Sequence, residues 1–297
     1  MVGEFENSLG VPTMAFFANW SGEYAVDADE EAGRLLSAML VERLRREPVD
    51  EAALIIGARG GYPAFADAVL RTVEHLEIDL QVLVPCRIDG MAGLIAASAA
   101  SVTLHPGAAI GAADSGLCVV PRRDLDASLF PHCPVDPGDL AEMDEAQEAT
   151  VARLANDRLI RRQQRRMAGH LVAAADVGEE TADWLLETTL GDGMSVGVEA
   201  LTDTGIDARV APEPLAEQLE AFVEWATETL HLFERPGDRF EVSDDLATEV
   251  EFEPATLIPA AAIIGVDSVW LHHLDTGSPD PDAPRLQGQW QNWDPEE

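Results

Sequence analysis

The chain contains no lysine: all 19 basic residues among its 297 are arginines, and they face 55 acidic residues, which gives a formal net charge of −36. Such a charge repels phosphate backbones and anionic lipids, so it argues against nucleic acid and membranes as general partners. It also opposes compaction by self-repulsion, which concentrated salt would screen. The composition therefore indicates a salt-adapted, halophilic type of cytosol, although a GC-rich genome would also favour arginine over lysine.

Cysteines and long apolar runs are also scarce. Cys86, Cys118 and Cys133 are an odd number at no metal-like spacing, which favours reduced thiols in a cytosol. No apolar run reaches the roughly 18 residues that a membrane helix needs, and the acidic start of the chain has no signal-peptide core. We therefore expect a cytoplasmic protein without a signal peptide or a transmembrane helix.

No metal or cofactor is predicted either. The pair His132-Cys133 is more often incidental than a metal site, and the pair His272-His273, followed by Asp275, has some metal-ligand character. The histidine pair falls in an apolar stretch that reads as a strand, where adjacent side chains point to opposite faces. Two such imidazoles do not easily hold one ion.

Short apolar runs alternate with helix-like segments in the first third of the chain. Strands are predicted at 12–19, 52–56, 80–84 and 101–104, and helices at 35–44, 65–76 and 94–100. Short buried strands that alternate with helices are typical of β-α-β units and a parallel sheet. The sequence therefore predicts an α/β fold.

Two glycine-rich turns each follow a predicted strand, one at Gly60-Gly61 and one at 90–93, here called the elbow. Backbone N–H groups in such turns can face a ligand oxygen, and the elbow also begins a helix. Turns at the carboxyl ends of neighbouring parallel strands commonly border a ligand-binding crevice. The alternative is that these glycines only make tight turns.

The order of these elements and turns resembles the Clp-protease/crotonase superfamily, and within it the serine dehydrogenase proteinases, relatives of signal-peptide peptidase A. Gly60-Gly61 stands at the Gly-Gly of that branch's His-Thr-Pro-Gly-Gly turn. Residues 90–96 stand at its Met-Ser-Ala-Gly-Thr-x-Ile-Ala segment, and 110–114 at its Leu-Gly-Pro-Ile-Asp segment. The resemblance covers roughly residues 12–225.

This resemblance implies a repeated β-β-α spiral with a mostly parallel sheet flanked by helices, over residues 1–235. Residues 236–297 fall outside it and are predicted to form a small C-terminal β appendage, an arm with strands and a mobile tail. Because the superfamily usually packs as dimers, trimers or their multiples, the resemblance also implies a homo-oligomer.

The resemblance further implies that the family's reactive residues are missing. Met91 holds the place of the nucleophilic serine, and a chain without lysine cannot form the Ser-Lys dyad. The window 112–116, where Clp proteases carry a histidine, has none. The oxyanion or ligand-binding groups implied here are those of Gly60, Gly61, Ala92 and Gly93. The weak remaining candidates for chemistry are Asp89, Asp114 and Ser115.

A predicted helix over 142–170 concentrates basic residues in its C-terminal half. These residues are Arg153, Arg158, Arg161, Arg162, Arg165 and Arg166. They favour either a solvated or intersubunit ion-pair face or an anion-binding face, for which Arg158, Arg161, Arg162 and Arg165 are the candidates.

Three classes of function stay open. The first, which we favour, is a catalytically degenerate serine-peptidase-like protein, a pseudoenzyme that binds a peptide or acts as an oligomeric scaffold. The second is an active serine hydrolase or peptidase with a non-standard nucleophile, such as Ser115, Ser98 or Cys86. The third is a crotonase-type acyl-CoA enzyme, which would use Asp89 or Asp114 as its acid or base.

Overall fold

The computed structural model describes residues 1–18, 28–58, 60–111, 195–230, 257–275 and 288–293, together with Gly169, Thr181, Ala182 and Leu232. The helices assigned within these ranges are α1 (Val2–Leu9), α2 (Glu30–Arg46), α3 (Pro63–Leu76), α4 (Met91–Ala97), α5 (Val198–Asp203) and α6 (Glu213–Thr229). The strands are β1 (Thr13–Ala18), β2 (Glu51–Gly57), β3 (Asp79–Val84), β4 (Ser101–Leu104), β5 (Ile110–Gly111), β6 (Ser195–Val196), β7 (Ala208–Val210), β8 (Leu257–Ile264), β9 (Val269–Asp275) and β10 (Gly288–Asn292).

Eight of these strands form one mixed sheet in the order β10-β9-β8-β1-β2-β3-β4-β7. Within this sheet, the neighbouring strands β1, β2, β3, β4 and β7 are parallel to one another. Strands β8, β9 and β10 are added to β1 by antiparallel pairing. Strands β5 and β6 make a separate two-stranded sheet. The prediction of an α/β fold is confirmed, and the repeated spiral stays a prediction.

The sheet is covered on both faces, which explains why its strands read as apolar runs rather than alternating patterns. Helices α2, α3 and α4 cover one face, where Phe16 of β1 lies 4.8 Å from Phe65 of α3 between ring centroids. Helices α1 and α6 cover the other face, where Phe17 lies 5.5 Å from Phe222 of α6. The site discussed below lies on the α2–α4 side.

The C-terminal strands continue the main sheet. Strand β8 pairs with β1, so that Ile264 lies opposite Ala15, and β9 and β10 extend the sheet outwards from β8. Strands β8, β9 and β10 therefore share one sheet with the N-terminal strands, and β10 lies in the segment that was expected to be a mobile tail. The small C-terminal appendage stays a prediction. The division of the chain at residue 235 stays a prediction.

Candidate ligand-binding site at the glycine turns

The two glycine turns meet at the carboxyl edge of the sheet. A Cβ built at Gly61 would lie 3.4 Å from the Cβ of Met91, and one built at Gly90 would lie only 2.5 Å from the carbonyl oxygen of Gly60. Gly90 also has a φ of +66°, a backbone conformation that other residues rarely adopt. Glycine at position 90 is therefore what allows the elbow to contact the first turn.

Hydrogen bonds join these turns. Met91 donates its N–H to the carbonyl oxygen of Gly60 at 2.9 Å. Gly60 in turn donates its own N–H to Asp89, to the carboxylate Oδ1 at 3.0 Å and to the backbone oxygen at 3.2 Å. The amides of Gly60 and Met91 therefore already have acceptors inside the protein.

Met91 is a core residue at the start of α4. Its exposed fraction is 0%, as is that of Ala92, and Gly60, Gly61 and Gly93 are buried as well. A Cβ at Gly93 would lie 2.8 Å from the backbone oxygen of Gly111, so α4 packs directly on β5. The four glycine-turn residues predicted to bind a ligand thus lie together, in a closely packed and buried junction.

Asp89 is the charged group of this junction. The residue is 3% exposed, and its Oδ2 lies 3.3 Å from Nη2 of Arg87. Within the described residues, Nε and Nη2 of Arg87 are buried without a hydrogen bond. The Asp89 carboxylate therefore faces both the Gly60 amide and a guanidinium.

The other proposed nucleophiles are poorly placed for chemistry. Burial raises the pKa of the Cys86 thiol to about 12, so the reactive thiolate is scarce at neutral pH. Ser98 lies at the opposite end of α4 from the elbow and donates its Oγ–H to the Leu94 carbonyl oxygen at 2.8 Å.

The remaining predicted site residues lie outside the part of the chain that the structure describes. They are Asp114, Ser115, Arg158, Arg161, Arg162 and Arg165.

His272 of β9 comes to the same edge and the same side of the sheet. It lies opposite Ala261 of β8, which lies opposite Ala18 at the carboxyl end of β1. It is 7% exposed, and burial lowers its pKa, while the carboxylate of Asp29, at the start of α2, acts to raise it. Sequence reasoning weighed this histidine only as a metal ligand, although its place among apolar strand residues was a signal of burial.

The structure bears on two further features of the sequence. No group of three or more potential metal-ligating side chains lies close together among the described residues. Of the helices in the described ranges, none is both long and apolar enough to cross a membrane.

Comparison with known proteins gives little more than a structural likeness. No family model matches the chain, and neither does any curated protein. Among solved structures, the chain is similar to ClpP1 from Listeria monocytogenes, with a TM-score of 0.40 and 11% sequence identity. The match covers 71% of this chain and 96% of that one.

Proposed function

We propose that this protein is a serine-peptidase-like α/β protein that is catalytically degenerate at its elbow and works by binding a peptide or by scaffolding an assembly. One observation carries the proposal: Met91 is buried where a nucleophile would stand, and the neighbouring Gly60 amide is bonded to the Asp89 carboxylate. The buried Met91 thioether thus stands in place of a nucleophile. The Asp89 carboxylate occupies the Gly60 amide, which an oxyanion would otherwise use.

Acyl transfer by such a site needs an activated nucleophile and N–H donors free to bind the developing oxyanion. A methionine thioether has no proton to give and does not act as a serine would. Of the groups that the resemblance implies for an oxyanion, the Gly60 amide would have to leave Asp89 before it could bind one. The same bond counts against the crotonase-type alternative, which also depends on open backbone amides.

The test of this proposal uses Met91→Ser with Met91→Ala as its matched control, since both remove the thioether and only one adds a hydroxyl. We expect no casein hydrolysis and no fluorophosphonate labelling for the wild type or for either variant. An unactivated serine is a poor nucleophile at neutral pH, and no lysine is present to act as its base.

Two results would count against the proposal. Hydrolysis by the wild type that disappears when another serine or cysteine is replaced would support the active-hydrolase alternative. A saturable rise in melting temperature with an acyl-CoA would support the crotonase alternative.

We also propose that the protein assembles with itself, because the superfamily that the sequence resembles usually packs as dimers, trimers or their multiples. The C-terminal strands or the arginine-rich segment 153–166 are the proposed contact surfaces. Light scattering in molar salt is expected to give a mass of at least two chains. A monomer at micromolar concentration would contradict this part of the proposal.

A further inference from the structure

We propose that β9 and β10, here called the edge arm, form a proton-sensitive element whose packing on the rest of the protein weakens when His272 and His273 take up protons. The edge arm lies at the outer end of the main sheet, beyond β8. The inference is independent of the proposed function, because it concerns the stability of an edge and not the chemistry of the elbow.

His272 occupies a position that suits a neutral side chain. Its cross-strand neighbours are Ala261 on β8 and Trp290 on β10. The imidazole and the Trp290 ring lie 5.2 Å apart between centroids, at an angle of 53°. Within the described residues, neither Nδ1 of His272 nor Nε1 of Trp290 has a hydrogen-bond partner, and both atoms are buried. Protonation of this imidazole would be unfavourable, because the charged ring would be removed from water without gaining a hydrogen-bond acceptor.

His273 lies on the other side of the strand and is only half-buried as a residue. Adjacent residues of a strand point to opposite faces, so one histidine lies on the α2 side and the other on the α6 side. Nδ1 of His273 is also buried without a hydrogen bond in the described part of the chain.

The charges around the two histidines do not cancel the effect of burial. The sequences of β8 and β10 contain no ionisable side chain. On one side, burial lowers the pKa of His272 and is the largest effect. His273 also lowers this pKa and Asp29, at the start of α2, acts to raise it, so the pKa lies below its ordinary value of 6.5. On the other side, α6 carries Glu217, Glu220, Glu224 and Glu228, yet burial is the cause that lowers the pKa of His273.

The direction of the pH effect follows from these shifts. In an opened edge arm both imidazoles meet water and regain their ordinary pKa, so the open state binds more protons than the packed state below about pH 6.5. The free energy that holds the edge arm in its packed state is therefore greatest above about pH 6.5 and decreases as the pH falls below that value. Local opening of an edge element can take place while the centre of the sheet stays folded.

Hydrogen–deuterium exchange of the full chain at pH 7.5 and pH 5.5, in constant molar KCl and corrected for intrinsic rates, tests this inference. We expect amides of β9 and β10 to lose protection several-fold at pH 5.5, while amides of β2 and β3 keep theirs. The double variant His272→Gln, His273→Gln is expected to remove that difference. The matched control His75→Gln replaces an exposed histidine of α3 and should retain it.

Equal protection of the wild-type edge arm at both pH values would overturn the inference. So would an equal loss in the double variant, because carboxylates would then be responsible. If the double variant does not fold, exchange at the imidazole C2 position reports the pKa of each histidine in the wild type. Values below 6.5 for both support the inference, and a value at or above 6.5 for either overturns it.

Discussion

At the scale of single residues, Asp89 has the most consequential side chain near the elbow. Its carboxylate is almost fully buried, accepts the Gly60 N–H and lies 3.3 Å from the Arg87 guanidinium. Any ligand that is to accept a hydrogen bond from the Gly60 amide must first displace Asp89.

Gly90 offers a direct test of the turn-to-turn contact. Gly90→Ala is expected to cost about 3–5 kcal/mol of unfolding free energy, because it combines an unfavourable φ with overlap against the Gly60 backbone. Gly10→Ala is the matched control, since Gly10 has a φ of +74° but nothing within 4 Å of an added Cβ. It should cost roughly 1–2 kcal/mol in urea unfolding. Equal costs for the two variants would mean that the turns do not touch as described.

At the scale of elements, the start of α2 connects helix capping with the edge arm. Oδ1 of Asp29 accepts the Ala32 N–H at 2.8 Å. Burial lowers the pKa of His272, and the charge of the same Asp29 carboxylate opposes that shift. One side chain therefore stabilises a helix through a hydrogen bond and influences a strand through its charge.

Asp29→Asn separates these two effects. Asparagine caps helices about as well as aspartate, so the loss of stability should stay below about 1 kcal/mol. Without the negative charge, the pKa of His272 should fall further below 6.5, as measured by exchange at the imidazole C2 position. Glu30→Gln, at an exposed neighbouring position, is the control and should leave that pKa unchanged. An unchanged pKa in Asp29→Asn would show that the two groups do not interact.

The sequence predicted the elements whose signals are local. The strands β2, β3 and β4 and the two glycine turns between them were predictable because apolar runs and glycines mark them directly. Helix α1 was not predicted, since its eight residues are held by a contact that only the fold creates: Phe5 packs against Phe222, 5.6 Å away between ring centroids. The hydrogen bond from the Gly60 N–H to Asp89 could not be predicted either, because it depends on how two turns that are distant in sequence meet in the fold.

At the scale of the whole molecule, the net charge of −36 governs how stability responds to salt. The screening length falls from about 10 Å at 0.1 M salt to about 3 Å at 1 M, so repulsion between surface carboxylates should fade over that range. We expect the melting temperature to rise from low to molar KCl. NaCl at equal ionic strength should act alike, since screening does not distinguish the two cations. A melting temperature that stays constant or falls would refute the salt-adaptation hypothesis.

The pairing of β1 with β8 has a consequence for the order in which the protein can be made. Strand β1 gains its parallel neighbour β2 soon after it is made, but its other neighbour, β8, is made much later. At about 5–20 residues per second, translation leaves that side of β1 unpaired for roughly ten to fifty seconds. An unpaired apolar strand edge is a template for aggregation, so this interval exposes β1 to pairing with other chains.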